Sequence, residues 1–128
     1  IHQNFFSSAG SVSQRAALAA LRSAASDVER MRKIYDERRR FLIRRLRELG
    51  FALKVEPEGA FYVFLNVRHL SGNSYALAFD ILEKAGVGVT PGIDFGENAE
   101  GYIRISYANS LENITEGLDR IEAYLKSR

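Results

Sequence analysis

Apolar residues recur at helical spacing in four stretches of the chain. Residues 11–25 are rich in Ala and Leu and leave little polar face, and residues 27–49 carry an apolar stripe among charged positions. Residues 74–85 and 111–126 are amphipathic with the same period. We therefore predict four helices. The first is so apolar that we expect it to be buried against another part of the protein.

Residues that commonly begin and end helices stand at the boundaries of these stretches. Ser26 and Glu29 form an S-x-x-E capping box ahead of the second stretch. Gly50 and Gly86 follow the second and third stretches, where a glycine often ends a helix. The candidate N-caps of the last two helices are Asn73 or Ser74 and Asn109 or Ser110.

Between the helices, aromatic and β-branched residues predict strands. The clearest are residues 60–67, reading AFYVFLNV, and residues 102–107, reading YIRISY. Residues 51–55 and 87–89 are shorter strand candidates. Turn residues rich in Gly and Pro are found at 57–59 and 90–92.

The order of these elements predicts an α+β fold of two layers. We expect a small, mainly antiparallel sheet of three to four strands, covered by helices on one face and preceded by the Ala-rich helix. A boundary is placed near residue 26. Residues 1–26 would then be a separate segment, and residues 27–128 would form the domain.

Composition narrows the class of protein. The 128 residues fit one domain, and 46% hydrophobic with 27% charged residues favours a folded core. A net charge of +2 gives no reason to expect a nucleic-acid or membrane partner, and no apolar run approaches the roughly 20 residues of a membrane span. Cysteine is absent and no signal peptide is visible, so we expect a cytoplasmic protein. The first residue is Ile1 rather than Met, which we interpret as a fragment of a longer chain.

Arg104 is the most informative candidate for chemistry. In the strand YIRISY it shares one face with Tyr102 and Ser106, while the apolar residues share the other. A guanidinium in an apolar strand can bind a carboxylate through two parallel hydrogen bonds. From the local pattern alone, it can equally face solvent or pair with a structural Glu.

Three other features are weaker signals. The loop 90–96 has the Gly and Pro content of many binding loops, although most such loops are only turns. The Arg-rich stretch 38–47 resembles a nucleic-acid helix in composition, but its cations wrap around the helix among Asp and Glu residues. His2 and His69 lack the spacing of metal ligands, so no metal is expected.

Three ordered motifs resemble the end of class I/II aminotransferases, the fold-type-I pyridoxal-phosphate enzymes. Residues 86–96 read GVGVTPGIDFG and residues 101–108 read GYIRISYA, similar to the family's V-x-PG-x-x-FG loop and the Arg-containing strand after it. Residues 57–64, PEGAFYVF, look like its P-x-GAFY-x-F strand. Residues 7–14 are similar to the piece after its cofactor-binding core. The resemblance identifies the carboxy-terminal small domain.

The resemblance implies roles for two residues. Arg104 matches the arginine that holds the substrate α-carboxylate, and Phe61 matches an aromatic residue of the substrate pocket, for which plain core packing is the alternative. The implied cofactor is pyridoxal 5'-phosphate, with an amino acid and a 2-oxo acid as substrates. The implied partners are a large domain of the same chain and a second subunit in a homodimer.

The same resemblance implies that this stretch lacks the chemical centre. None of Lys33, Lys54, Lys84 and Lys126 stands in the family's Ser/Thr-x-x-Lys context, so we expect no catalytic or cofactor-binding residue here, and no activity from this chain alone. Three alternatives stay open. They are an aminotransferase-like sensor domain of a transcription regulator, a fold-type-I lyase or synthase, and an unrelated Arg-rich binding module. The particular amino acid is not specified.

Overall fold

The computed structural model describes residues 9–128, and the chain divides into two compact units, Ile1–Ile34 and Tyr35–Arg128. Helix α1 spans Ser11–Ser23, and helix α2 spans Ala25–Glu48. We expected the first helix to be buried, but every residue of α1 is exposed and no part of residues 9–128 covers it. The first part of the motif at 7–14 lies outside the described residues.

The capping box predicted at Ser26 is wrong, because Ser26 lies inside α2. Only Ala24 separates α1 from α2. Its N–H donates to the Ala20 carbonyl at 3.0 Å, and its own carbonyl accepts from the Val28 N–H at 2.9 Å. Since helical hydrogen bonding reaches the start of α2 from both sides of Ala24, the first turn needs no serine cap.

A three-stranded antiparallel sheet organises the second unit. Its strands are β1 at Tyr62–Asn66, β2 at Thr90–Pro91 and β3 at Tyr102–Ser106, in the order β1-β3-β2. The remaining helices are α3 at Ser74–Ala85 and α4 at Leu111–Lys126. In the central strand, Arg104 lies opposite both Phe64 of β1 and Thr90 of β2.

The hydrophobic core occupies one face of the sheet. Alternation along β1 and β3 buries Val63, Leu65 and Ile103 on that face. The helices pack their apolar stripes against these residues, contributing Leu42, Leu46, Leu77, Ile81, Ile114, Leu118 and Ile121. The predicted α+β architecture, with helices on one face of a small antiparallel sheet, is confirmed.

The strand predicted at residues 51–55 is wrong, because Phe51 belongs to the end of α2. The Phe51 N–H donates to the Leu46 carbonyl and the Gly50 N–H to the Arg47 carbonyl, both at 3.0 Å. With Gly50 at a φ of 88°, these two bonds form a Schellman motif, which confirms Gly50 as the helix stop. Phe51 is then buried as the apolar residue of the cap, and no strand within residues 9–128 pairs with the residues after it.

The strand predicted at residues 87–89 is also wrong, and the predicted turn at 90–92 contains the strand instead. Within residues 87–92, only Thr90 and Pro91 pair with β3. Before them, Val87 and Gly88 line a cavity of about 360 Å³ together with Ile105 of β3. Residues 87–89 therefore form no ladder with β3.

The N-caps of α3 and α4 and the end of α3 agree with the prediction. Asn73 and Ser110 are the N-caps of α3 and α4, and Gly86 ends α3 in the left-handed conformation with a φ of 65°. On the amphipathic helix α3, Leu82 is 48% exposed. It lies on the outward side of α3, seven residues after Tyr75, which is also exposed.

Candidate functional site

Arg104 lies on the face of the sheet opposite the helices. Its guanidinium carbon is 5.3 Å from the ring centre of Tyr62 and 5.3 Å from that of Phe95. A cation between two aromatic faces is held in direction and partly screened from water. The strand and the two rings therefore fix where the guanidinium lies.

The Nε atom of Arg104 is buried and has no hydrogen-bond partner. No carboxylate of residues 9–128 forms an ion pair with this guanidinium. A buried donor left without an acceptor costs about 1–3 kcal/mol, so folded chains rarely keep one without a reason. Of the alternatives left open by the sequence, pairing with a structural Glu has no support among the described residues. A guanidinium that faces solvent and one that binds an external acceptor both remain as alternatives.

Aromatic rings extend from the arginine along the same face of the sheet. Phe64 stacks on Tyr102 with ring centres 5.0 Å apart and planes at 5°. Phe64 also meets Phe95 edge to face at 5.5 Å. These rings give Arg104 an apolar wall, and a charge-assisted hydrogen bond is stronger beside such a wall than in open water.

Phe61 lies just before β1 and is 47% exposed, so its ring is not part of the core. It meets the Tyr62 ring edge to face at 5.7 Å, and through Tyr62 it is connected to Arg104. Its carbonyl accepts from the Tyr107 N–H at 2.8 Å. The residue before it, Ala60, has a φ of 62°, unusual for alanine, and its carbonyl accepts from the Tyr107 hydroxyl at 3.2 Å.

The loop between β2 and β3 brings Phe95 to the site. It consists of two 3-10 turns, Gly92–Phe95 and Glu97–Ala99. The Gly101 N–H and the Ser74 N–H both donate to the Glu100 carboxylate, at 3.1 and 2.5 Å. The Ser74 bond is the largest cause that lowers the pKa of Glu100 below its ordinary value, although burial opposes it.

Sequence reasoning identified Arg104 and Phe61 but missed the other residues around them. Tyr62 and Phe64 could have been assigned to the Arg104 face, because they alternate with buried residues on a strand paired to β3. Phe95 lies within the loop motif of residues 86–96, where it was given no role. No local signal points to Ser74 or Glu100, since they lie 26 residues apart in the chain.

The Arg-rich part of α2 has its charges balanced locally. Five of its six arginines pair with carboxylates, and the sixth, Arg38, lies over the Tyr35 ring at 5.6 Å. The pairs are Arg39 and Arg40 with Asp36, Arg44 with Glu48, Arg45 with Glu48, Asp119 and Glu122, and Arg47 with Glu56. Nucleic-acid binding by this helix would need a row of unpaired cations, and these six arginines do not form one.

No metal site or membrane span is found in the part of the chain that the structure describes. His69 packs against the Phe51 ring at 5.7 Å, and His2 lies outside the described residues. No group of three or more metal-ligating side chains occurs within residues 9–128. None of the helices in that range has the length and apolarity that crossing a bilayer requires.

The chain is similar to known transaminases over nearly its whole length. The aminotransferase class I and II family matches residues 1–121. An aspartate aminotransferase of Pyrococcus horikoshii is 42% identical over 128 residues, covering 98% of this chain and 33% of that protein. A (5-formylfuran-3-yl)methyl phosphate transaminase of Methanocaldococcus jannaschii is 42% identical over 126 residues, with the same two coverages.

Solved structures agree with the sequence comparison. The crystal structure of an aspartate aminotransferase from Thermotoga maritima superposes with a TM-score of 0.82 at 40% identity, covering 94% of this chain and 30% of that one. The chain belongs to the aminotransferase class I and II family, and the family resemblance in the motifs is confirmed. It spans about a third of the length of the curated relatives it matches.

Pyridoxal phosphate is the cofactor that this family implies, and the described residues do not fit its covalent attachment. Lys33, Lys84 and Lys126 each form an ion pair with a carboxylate four residues earlier in the same helix. Lys54 lies exposed in the loop after α2. None has a Ser or Thr three residues before it, so none matches the family's Ser/Thr-x-x-Lys context.

Proposed function

We propose that this chain is the part of a pyridoxal-phosphate-dependent aminotransferase that binds the α-carboxylate of the amino acid and of the 2-oxo acid. The observation that carries the proposal is the buried, unpartnered Nε of Arg104, held between two aromatic rings. The Nε–H and a neighbouring Nη–H of one guanidinium match the two oxygens of a carboxylate.

The role of Arg104 is to orient the substrate. Every amino acid and 2-oxo acid carries the same α-carboxylate, so a fixed fork presents the α-carbon of each in one position. The rings of Tyr62 and Phe95 exclude water from one side of the bound carboxylate. Phe61, exposed and packed on Tyr62, borders the space beside it and would contact the substrate.

The cofactor and the Schiff-base lysine would come from outside this chain. The family resemblance supplies the rest of this proposal, namely a large domain that holds pyridoxal phosphate, closure of the present domain over the substrate, and a homodimer. Pyridoxal phosphate held there would supply an electron sink for chemistry at the α-carbon. The 128 residues by themselves are proposed to have no transaminase activity.

The test is a kinetic comparison of Arg104 variants in the full-length product of the gene that encodes this chain. Amino-group transfer from a panel of amino acids to 2-oxoglutarate is measured for wild type, Arg104→Gln and Arg104→Lys. Two charge-assisted hydrogen bonds are worth about 1.5–3 kcal/mol each, so Arg104→Gln should lower kcat/KM by roughly 10²–10⁴-fold. Arg104→Lys keeps the charge without the fork and should lose less.

Arg44→Gln is the matched control. The Arg44 guanidinium also lies over an aromatic ring, that of Phe41 at 5.5 Å, but it is exposed on the surface of α2 and its loss should leave kcat/KM unchanged. An Arg104→Gln enzyme as active as wild type would refute the carboxylate role. A wild-type protein that binds pyridoxal phosphate but transfers no amino group would favour the regulator or the lyase and synthase alternatives.

A further inference from the structure

The loop 92–101 supplies one of the two rings that enclose the Arg104 guanidinium. Phe95 stands at the end of its first 3-10 turn and is 51% exposed. The ring meets that of Phe64 edge to face, and its centre lies 5.3 Å from the guanidinium carbon of Arg104. Whatever holds this loop therefore also determines one wall of the carboxylate site.

One buried residue binds the loop near both of its ends. Ser74 is fully buried at the first position of α3. Its hydroxyl oxygen accepts the Ile93 N–H at 3.1 Å, near the start of the loop. Its N–H donates to the Glu100 carboxylate at 2.5 Å, near the end of the loop.

The loop is also closed at its neck. A Cβ atom on Gly92 would lie 2.0 Å from the Ala99 carbonyl oxygen and 2.6 Å from that of Tyr102. The start and the end of the loop therefore approach each other too closely for any residue but glycine at position 92. The Arg68 guanidinium donates to the Glu100 carbonyl through Nε at 3.3 Å and Nη2 at 3.2 Å. The segment that includes Phe95 is thus a compact loop with fixed ends.

Helix α3 does not depend on Glu100 for its own start. Asn73 already caps it, accepting the Ala76 N–H at 2.8 Å. The carboxylate takes a further N–H of the first turn, a position where the helix dipole favours a negative charge. The distinct effect of the Ser74–Glu100 contact is therefore on the loop.

We infer that Ser74 and Glu100 are positioning residues, which hold Phe95 against the Arg104 guanidinium and so set its affinity for a carboxylate. The part about affinity rests on the proposed function of Arg104. The part about position does not, because it concerns a contact within the chain. The two parts can accordingly be tested with separate signals.

The experiment uses NMR of the 15N-labelled 128-residue chain, with the Arg104 Nε–H signal assigned by its loss in Arg104→Lys. This proton lies close to two rings, so its chemical shift reports the position of Phe95. In Ser74→Ala and Glu100→Ala it should move toward the shift of a free arginine. Glu100→Gln retains an oxygen acceptor and should restore most of the wild-type shift.

Two variants serve as matched controls. Ser110→Ala removes a serine hydroxyl that accepts the Asn113 N–H at 3.2 Å within its own helix, and Glu97→Gln neutralises an exposed carboxylate of the same loop. Both should leave the Arg104 signal in place. Methyl signals of Val63, Leu65 and Ile103 report whether the core is intact. If Ser74→Ala shifts these methyl signals, the inference is judged on Glu100→Ala instead, because Glu100 is only half-buried.

A titration with pyruvate measures affinity in each variant. We expect Ser74→Ala and Glu100→Ala to raise the apparent Kd for pyruvate at least threefold. The Kd of Glu100→Gln and of the two control variants should stay near the wild-type value. An Arg104 signal that does not move in the folded variants would overturn the inference. If wild type does not bind pyruvate while the variants still displace the Arg104 signal, the part about affinity fails and the positioning of Phe95 stands; the proposed function is then decided by the Arg104→Gln enzyme.

Discussion

Replacing Arg104 by methionine should stabilise the folded chain while it removes the proposed carboxylate site. The Nε–H of Arg104 is buried without an acceptor, which costs about 1–3 kcal/mol of folding free energy. Methionine has a side chain of comparable length and carries no hydrogen-bond donor. Its sulfur also makes favourable contacts with aromatic rings.

The remaining contributions nearly cancel. Loss of the guanidinium removes its contacts with Tyr62 and Phe95, worth about 0.5–1 kcal/mol each near a surface. Contacts of the methionine sulfur with the same rings return about 0.3–1.5 kcal/mol each. Relief of the unpaired donor then dominates, and we expect a net gain on the order of 1 kcal/mol, or about 4–8 °C in Tm for a unit of this size.

Thermal and urea unfolding of the 128-residue chain, monitored by circular dichroism in buffer without carboxylate anions, measures this gain. Arg39→Met is the matched control. Its side chain is 19% exposed, pairs with Asp36 at 2.8 Å and donates to the Pro57 carbonyl at 3.2 Å, so its loss should cost about 1–3 kcal/mol. If Arg104→Met destabilises the chain as Arg39→Met does, Arg104 is a structural cation and the reasoning fails.

Two further predictions concern the loop that carries Phe95. Gly92→Ala should destabilise the chain by about 1–3 kcal/mol, because its new methyl group would lie 2.0 Å from a backbone oxygen, whereas Gly59→Ala meets nothing within 4 Å and should be nearly neutral in the same unfolding assay. Because the pKa of Glu100 is lowered in the folded chain, its contribution should be complete above the ordinary carboxyl pKa of about 4.3 and be lost as the pH falls through the lower folded value. The midpoint of thermal unfolding, recorded from pH 6 downward, should therefore fall more steeply at acid pH in wild type than in Glu100→Gln.

The elements that sequence predicted well are those whose pattern is local. The apolar period of α2 to α4, the caps at Asn73 and Ser110, and the alternation in β1 and β3 each arise from residues within one element. Residues 51–55 and 87–89 were expected to be strands, and neither segment pairs with a strand of residues 9–128. Phe51 instead completes the Schellman motif at Gly50, and Val87 and Gly88 line a cavity together with Ile105 of β3.

The candidate site divides in the same way. Arg104 and Phe61 were found because a cation in an apolar strand and a family motif mark them in the sequence. The ring of Phe95 and the bonds of Ser74 to Ile93 and Glu100 arise only when the loop folds back onto α3. No periodicity encodes such contacts, since they depend on the path of irregular backbone between two elements.

The choice of substrate is expected to depend on residues other than Arg104. The chain is 42% identical both to an aspartate aminotransferase and to a transaminase named for a furan phosphate, so likeness over this third does not distinguish their substrates. This agrees with an Arg104 that binds only the α-carboxylate, the group that all amino acids share. Phe61, which is 47% exposed, is one of the residues beside that group whose side chain could meet a substituent. Changes at Phe61 should consequently alter the ranking of substrates, while changes at Arg104 should lower activity toward all of them together.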